Sequence, residues 1–146
     1  MLRVPAGVIK ATLHTLSGCG QGCCECVVYW TGPVTLPGVV DGWDHPTHRR
    51  SRWGYQIDDV WLTQYWFRLG REARAVRAQV HTHPGPAFHS ATDDRWPIVS
   101  QPGFLSVVIP DLARGPIRWD AIWAGYLTGD GGWRSAPVLS LLEVVP

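Results

Sequence analysis

The sequence predicts a mixed α/β (α+β) domain in which a β-sheet is flanked by helices. Apolar residues recur at helical spacing in two separate stretches. Between and after them lie β-branched or aromatic runs bounded by Gly and Pro. The bulk numbers fit: 146 residues, 45% apolar and 17% charged, suffice for one core without disulfide staples.

Taken in order, residues 6–16 (AGVIKATLHTL) set Val8, Ile9, Leu13 and Leu16 near helical spacing, and a Gly-rich turn follows. ECVVYWTG reads as a strand closed by Gly32-Pro33, with residues 34–40 as its hairpin partner. GWDHPTHRRSRWG, polar and rich in turn formers, reads as a surface loop. Asp58 or Asp59 caps a helix over VWLTQYWFRLGREA. Val60, Leu62, Trp66, Phe67 and Leu69 supply its buried side, and Gly70 is placed to end it early. AVRAQVHTH alternates strictly, with Val76, Ala78 and Val80 on one face and Arg77, Gln79 and His81 on the other. Ser90 caps a short helix limited by Pro97, and FLSVVIP (104–110) and AIWAGYL (121–127) are two further strands. A Gly-Asp-Gly-Gly turn then leads to a short C-terminal stretch. The whole reads as a single domain over residues 1–146.

Several function classes are excluded as expectations. A formal net charge of +1 gives no electrostatic ground for a nucleic-acid or membrane partner. The N-terminus lacks a leader pattern, and no stretch approaches the roughly 20 apolar residues of a membrane span, so the expected location is cytoplasmic. All four cysteines, Cys19, Cys23, Cys24 and Cys26, crowd one short window, which argues against a disulfide framework.

The chemistry concentrates in residues 80–94, VHTHPGPAFHSATDD. Side chains at i and i+2 of a strand share a face, so His81 and His83 project two imidazoles side by side. Pro84-Gly85-Pro86 then turns the chain, and Asp93, in the first turn of a short helix, can swing back as a third ligand. Two histidines and a carboxylate leave a fourth position open, the pattern of a catalytic rather than a structural zinc. Such an ion would bring the pKa of water towards ~7. Ser90 with Asp93 is also the pattern of a helix N-cap.

The full string, H-T-H-P followed by S-x-x-D, resembles the signature of the JAMM (MPN+, or JAB) metalloproteases. That family has an upstream glutamate opening a strand near the pattern E-x-x-G-x-L-x-G. Here ECVVYWTG keeps Glu25 and Gly32 in register, with Val28 where the middle glycine would be. The resemblance implies a single-domain MPN/JAB fold with cytidine-deaminase-like layering. It implies that one Zn2+ is held by His81, His83 and Asp93, with Glu25 as general base and Ser90 as donor to the oxyanion. One residue fewer separates His83 from Ser90 than is usual. Asp93 keeps the S-x-x-D spacing, while Asp94 would restore the usual histidine-to-aspartate distance.

The family implies a peptidase or isopeptidase acting after the C-terminal tail of a ubiquitin-like protein, in precursor maturation or deconjugation. Expected partners are that protein, its conjugates, and the activating and conjugating enzymes of the same pathway, as in small prokaryotic and antiphage systems. Two other readings stand: a non-catalytic scaffold of the same fold, and a hydrolase acting on a sulfur-carrier protein or small peptide conjugate. Elsewhere, His89 reads as an exposed loop histidine, and His45 and His48 as part of a solvated loop. Cys26 packs in its strand, and the closely spaced cysteines do not read as a second zinc site. Trp61, Trp66, Trp119 and Trp123 read as core or groove wall.

Overall fold

In the computed structural model, which describes residues 1–95 and 97–146, strand β1 (Leu2–Pro5) runs straight into helix α1 (Ala6–Gly20). The helix ends where Gln21 turns left-handed. Strands β2 (Val27–Pro33) and β3 (Gly42–Asp44) follow, then a hairpin of β4 (His48–Ser51) and β5 (Gly54–Ile57). Helix α2 (Asp59–Arg71) leads into the long strand β6 (Arg74–Thr82), the short α3 (Ala91–Arg95) and β7 (Leu105–Ile109). Strands β8 (Trp123–Leu127) and β9 (Trp133–Ser135), helix α4 (Val138–Leu141) and strand β10 (Leu142–Val145) complete the order.

The central sheet has the order β3-β2-β6-β7-β8-β9 and is mixed: β6 and β7 are parallel, the other neighbours antiparallel. Its two faces carry separate apolar clusters, which is why β2 reads as a continuous apolar run. On one face α1 sets Val8, Ile9 and Leu16 against Val28, Trp30, Val80 and Val107. The buried Trp30 indole N–H donates to Thr12 Oγ1 at 2.8 Å, so the polar edge of this large ring is satisfied. On the other face α2 sets Tyr65 and Leu69 against Val27, Tyr29 and Phe104. Strands β1 and β10 pair in parallel as a separate ribbon.

Four expectations need correction. Residues 34–40 form turns around Pro37-Gly38 rather than a strand, and β2 pairs with β3 and β6 instead. The 42–54 segment is largely extended, holding β3, β4 and the start of β5. Its side chains are polar because the hairpin lies outside the main sheet. Helix α2, capped by Asp58 Oδ1 accepting from the Trp61 N–H at 2.8 Å, continues through Gly70 to Arg71. It buries Tyr65 and Leu69, whereas Val60, Trp66 and Phe67 are exposed. The helix carries more apolar residues than one face can cover. Finally, the alternation of β6 breaks where the β2–β6 register shifts between Trp30 and Thr31. This bulge sends Val76 to the α2 face while Ala78 and Val80 stay on the α1 face.

Gly32 closes β2 under the carbonyl of Val39, and an added Cβ would sit 1.9 Å from that oxygen. The Val39 segment is itself fixed, because Arg3 N–H donates to Gly38 and Val40 N–H to Arg3. Gly32→Ala is therefore expected to destabilise the fold by about 1–3 kcal/mol, read as a lower urea midpoint at unchanged slope.

Candidate active site

The C-terminal end of β6 and the start of β2 are stapled together. Cys26 N–H donates to Thr82 Oγ1 at 3.0 Å, and Thr82 N–H donates to the Cys26 carbonyl at 3.1 Å. The residues flanking these two, Glu25 just before β2 and His81 and His83 at the end of β6 and just beyond it, are thereby held at one end of the sheet.

His81 is wholly buried and His83 nearly so. The Nε2 atoms of the two rings lie 3.3 and 3.5 Å from Asp93 Oδ2. Asp93 is placed by a reciprocal cap on α3: Ser90 N–H donates to Asp93 Oδ2 at 2.9 Å and Asp93 N–H donates to Ser90 Oγ at 3.1 Å. The cap is what aims the carboxylate at the two imidazoles. Because Ser90 Oγ accepts from the backbone, its own proton is free to be donated, and Ser90 lines the adjoining cavity. Burial pushes the Asp93 carboxyl up, but the two histidines and the Ser90 N–H outweigh it and hold it well below the usual carboxylate range.

His81 decides whether these residues fit a metal ion. Both of its ring nitrogens are buried; Nε2 meets the Asp93 carboxylate at 3.3 Å without hydrogen-bond geometry, and among the described residues Nδ1 has no hydrogen-bond partner. A buried ring nitrogen left this way costs free energy unless something else engages it, and an ion at Nε2 would do so. The donor atoms of His81, His83 and Asp93 all lie within 4.8 Å of one another. Two imidazoles and a carboxylate in that arrangement suit a divalent cation of the zinc type.

Glu25 is 7% exposed at the head of β2, and its N–H donates to the Ser51 carbonyl of the hairpin at 2.9 Å. Burial pushes its carboxyl up to about 7; His83 opposes the rise and Asp93 adds to it. Glu25, His83, Ser90 and Asp93 open into one cavity of about 960 Å³. Two aromatics on its wall, Trp53 and Phe88, are 77% and 55% exposed, and Phe88 meets the His83 ring edge-on at 4.5 Å.

Asp94 turns elsewhere. Its Oδ1 accepts from His89 Nδ1 at 2.6 Å. His89, expected as an exposed loop residue, is instead packed away, with a side chain 4% exposed. Its ring stacks on Trp123 at 4.4 Å, and its Nε2 accepts from the Ser106 hydroxyl at 3.2 Å. Burial lowers its pKa despite Asp94, in keeping with a neutral ring donating at one nitrogen and accepting at the other. His89 anchors the segment that delivers Ser90 and Asp93. Two of the partners that hold it, Ser106 and Trp123, are remote in sequence, so only the fold could reveal this.

A second correction concerns the 42–54 segment. Cys19, Cys26, His45 and His48 converge, with Cys19 Sγ 3.5 Å from His48 Nε2 and Cys26 Sγ 3.2 Å from His45 Nε2. His45 is exposed in the loop between β3 and β4, as expected, whereas His48 is half-buried in β4, and both lie beside the cysteines.

The fold has clear relatives among solved structures. A Desulfitobacterium hafniense protein solved in solution aligns over 99% of this chain and 93% of its own, with a TM-score of 0.69 at 16% identity. A Salinibacter ruber protein, also solved in solution, gives 0.57 at 22% identity over 99% and 90% of the two chains. A JAB1/MPN domain protein from Archaeoglobus fulgidus, known from its crystal structure, covers 99% of this chain and 100% of its own at a TM-score of 0.52 and 15% identity. This chain has the JAB1/MPN fold. No family model matches the sequence. In sequence, the JAB1/MPN-fold chain is 37% identical over 77 residues to a Sinorhizobium fredii protein named a probable metalloprotease. That match covers 53% of this chain and 48% of the relative. Both findings agree with the resemblance to JAMM metalloproteases carried by Glu25, the H-T-H-P string and S-x-x-D. Among the described residues, no helix is long and apolar enough to cross a membrane.

Proposed function

We propose that this chain is a zinc-dependent peptidase or isopeptidase that cuts after the C-terminal tail of a ubiquitin-like protein. The observation that carries the reading is the convergence of one donor atom each from the buried His81, His83 and Asp93, all within 4.8 Å of one another, beside a cavity lined by the buried Glu25. In this proposal His81, His83 and Asp93 hold the ion, whose chemistry is Lewis-acid polarisation and the supply of hydroxide near neutral pH. Glu25 accepts the proton of the attacking water and passes it to the leaving amine, a task suited to a carboxyl that burial pushes above its ordinary value. Ser90 directs its free O–H at the oxyanion of the tetrahedral intermediate. Amide cleavage needs these services together, because the carbonyl is a weak electrophile and the amine a poor leaving group.

The substrate class is supported by the shape of the site. An extended tail fits an open cavity walled by exposed aromatics, where Trp53 and Phe88 can grip it. The four cysteines are free, which suits a reducing, cytoplasmic setting among ubiquitin-like activating and conjugating enzymes.

Purified protein incubated with a ubiquitin-like protein fused through its C-terminus to a reporter is expected to release the reporter. A strong chelator should abolish the release and added Zn2+ should restore it. Release that persists after verified metal removal would overturn the reading. So would failure of the zinc-loaded chain to cut any of a panel of ubiquitin-like and sulfur-carrier fusions.

A further inference from the structure

We propose that Cys19, Cys26, His45 and His48 form a second, structural zinc site. It is closed, of the Cys2His2 type, and independent of the cavity just described. The four donor atoms come from the end of α1, the entry to β2, the segment between β3 and β4, and the first residue of β4, and they all lie within 4.8 Å of one another. With Zn–S near 2.3 Å and Zn–N near 2.0 Å, the sulfur–nitrogen edges of a tetrahedron are about 3.5 Å. The two measured here are 3.5 and 3.2 Å.

The orientation of the donors points the same way. His48 Nδ1 is 2.8 Å from the Pro46 carbonyl, which can only accept, so Nδ1 carries the proton. The lone pair is then on Nε2, the atom that faces Cys19 Sγ. A carbonyl that fixes the tautomer of a histidine in this way is the usual outer support of a metal ligand. Arg50 also binds the Cys19 carbonyl and sits 3.7 Å from Cys19 Sγ. Two thiolates and two neutral imidazoles balance the charge of Zn2+, and the two thiol protons leave to solvent as the ion enters. No ligand position is left for water, so the role is mechanical.

That role falls on the neighbouring active site. Cys26 follows Glu25 directly and is bonded through its backbone to Thr82, between His81 and His83. His48 opens the β4–β5 hairpin, which accepts the Glu25 N–H at Ser51 and walls the cavity with Trp53 and Tyr55. The Tyr55 ring lies between the two clusters, 6.4 Å from the His48 ring and 5.7 Å from the His81 ring. An ion here would clamp the hairpin and the general base to the end of α1.

Metal analysis tests this without any assay of cleavage. The intact chain should carry two equivalents of zinc, His83→Ala one, and Cys19→Ser one. Cobalt-loaded protein should show thiolate-to-cobalt charge-transfer absorption in the intact chain and in His83→Ala, and none in Cys19→Ser. Should Cys19→Ser fail to fold, the intact chain still decides. The half-exposed Cys19 should resist alkylation until a chelator is added, in His83→Ala as well, while the exposed Cys23 reacts at once. A metal content insensitive to the cysteines, absence of the charge-transfer band, or prompt alkylation of Cys19 in untreated protein would overturn the site. The zinc content of His83→Ala, the charge-transfer band and the alkylation of Cys19 do not depend on the His81 cluster, because His83→Ala removes that cluster from the measurement and it holds no thiolate.

Discussion

Glu25→Gln is expected to lower turnover of a ubiquitin-like fusion by about 10²–10⁴-fold while leaving the metal content unchanged. Glutamine keeps the shape of the side chain, and it removes the charge and with it the ability to accept and return a proton. Because Glu25 is not among the three converging ligands, the ion should stay. The pH profile supplies a second readout. A general base must be ionised, so cleavage should fall as pH drops through the Glu25 pKa. That pKa is about 7 in the chain alone and is drawn lower when a cation sits beside it. Stability runs the other way. The folded-state pKa lies above the ordinary value of 4.5, so the metal-free fold loses stability as pH rises from about 4.5 to about 7 and stays penalised above that. Metal-free Glu25→Gln should lack this loss and melt higher than the parent at pH 8. A variant that cleaves at the parental rate would remove Glu25 from the mechanism.

The reach of the sequence was set by how local each feature is. The triad was readable because it is built from two short-range rules, side-chain alternation at His81 and His83 and a capping box at Ser90 and Asp93. Glu25 was readable only through its resemblance to a known pattern, since nothing local ties it to residues 56 positions downstream. The Cys2His2 cluster escaped because its spacing, six residues between the cysteines and two between the histidines, is not that of common zinc motifs. It also draws on a segment whose polar composition mimics a loop. His89 escaped for a related reason: Trp123, Ser106 and Asp94 hold it, and two of these are brought close only by β7 and β8. The faces of α2 and β6 were misjudged where a surplus of apolar residues and a bulge broke simple periodicity. In each miss a tertiary contact overrode the local pattern.

The two adjacent aspartates give the sharpest contrast, and Asp93→Ala is expected to lose the ion of the His81 cluster together with all cleavage. Asp94→Ala should keep that ion. The reason lies in the α3 cap. Asp93 Oδ2 is held at once by the Ser90 N–H and against both imidazoles, whereas Asp94 points to His89 and its side chain is 55% exposed. Loss of Asp93 costs one of three ligands and half of the reciprocal cap, so metal affinity should fall by far more than the 10–100-fold typical of an outer-shell partner. Loss of Asp94 frees the Nδ1–H of a buried histidine, and the expected cost is local: a looser segment around Ser90, a higher KM or lower kcat, and an effect on metal within that 10–100-fold range. Metal content measured by mass spectrometry on Asp93→Ala, Asp94→Ala and Cys19→Ser in parallel separates all three contributions. Zinc retained at the His81 cluster in Asp93→Ala and lost in Asp94→Ala would reverse the assignment. The ligand would then have to come from the next residue of α3, with the helix rotated to bring Asp94 to the imidazoles.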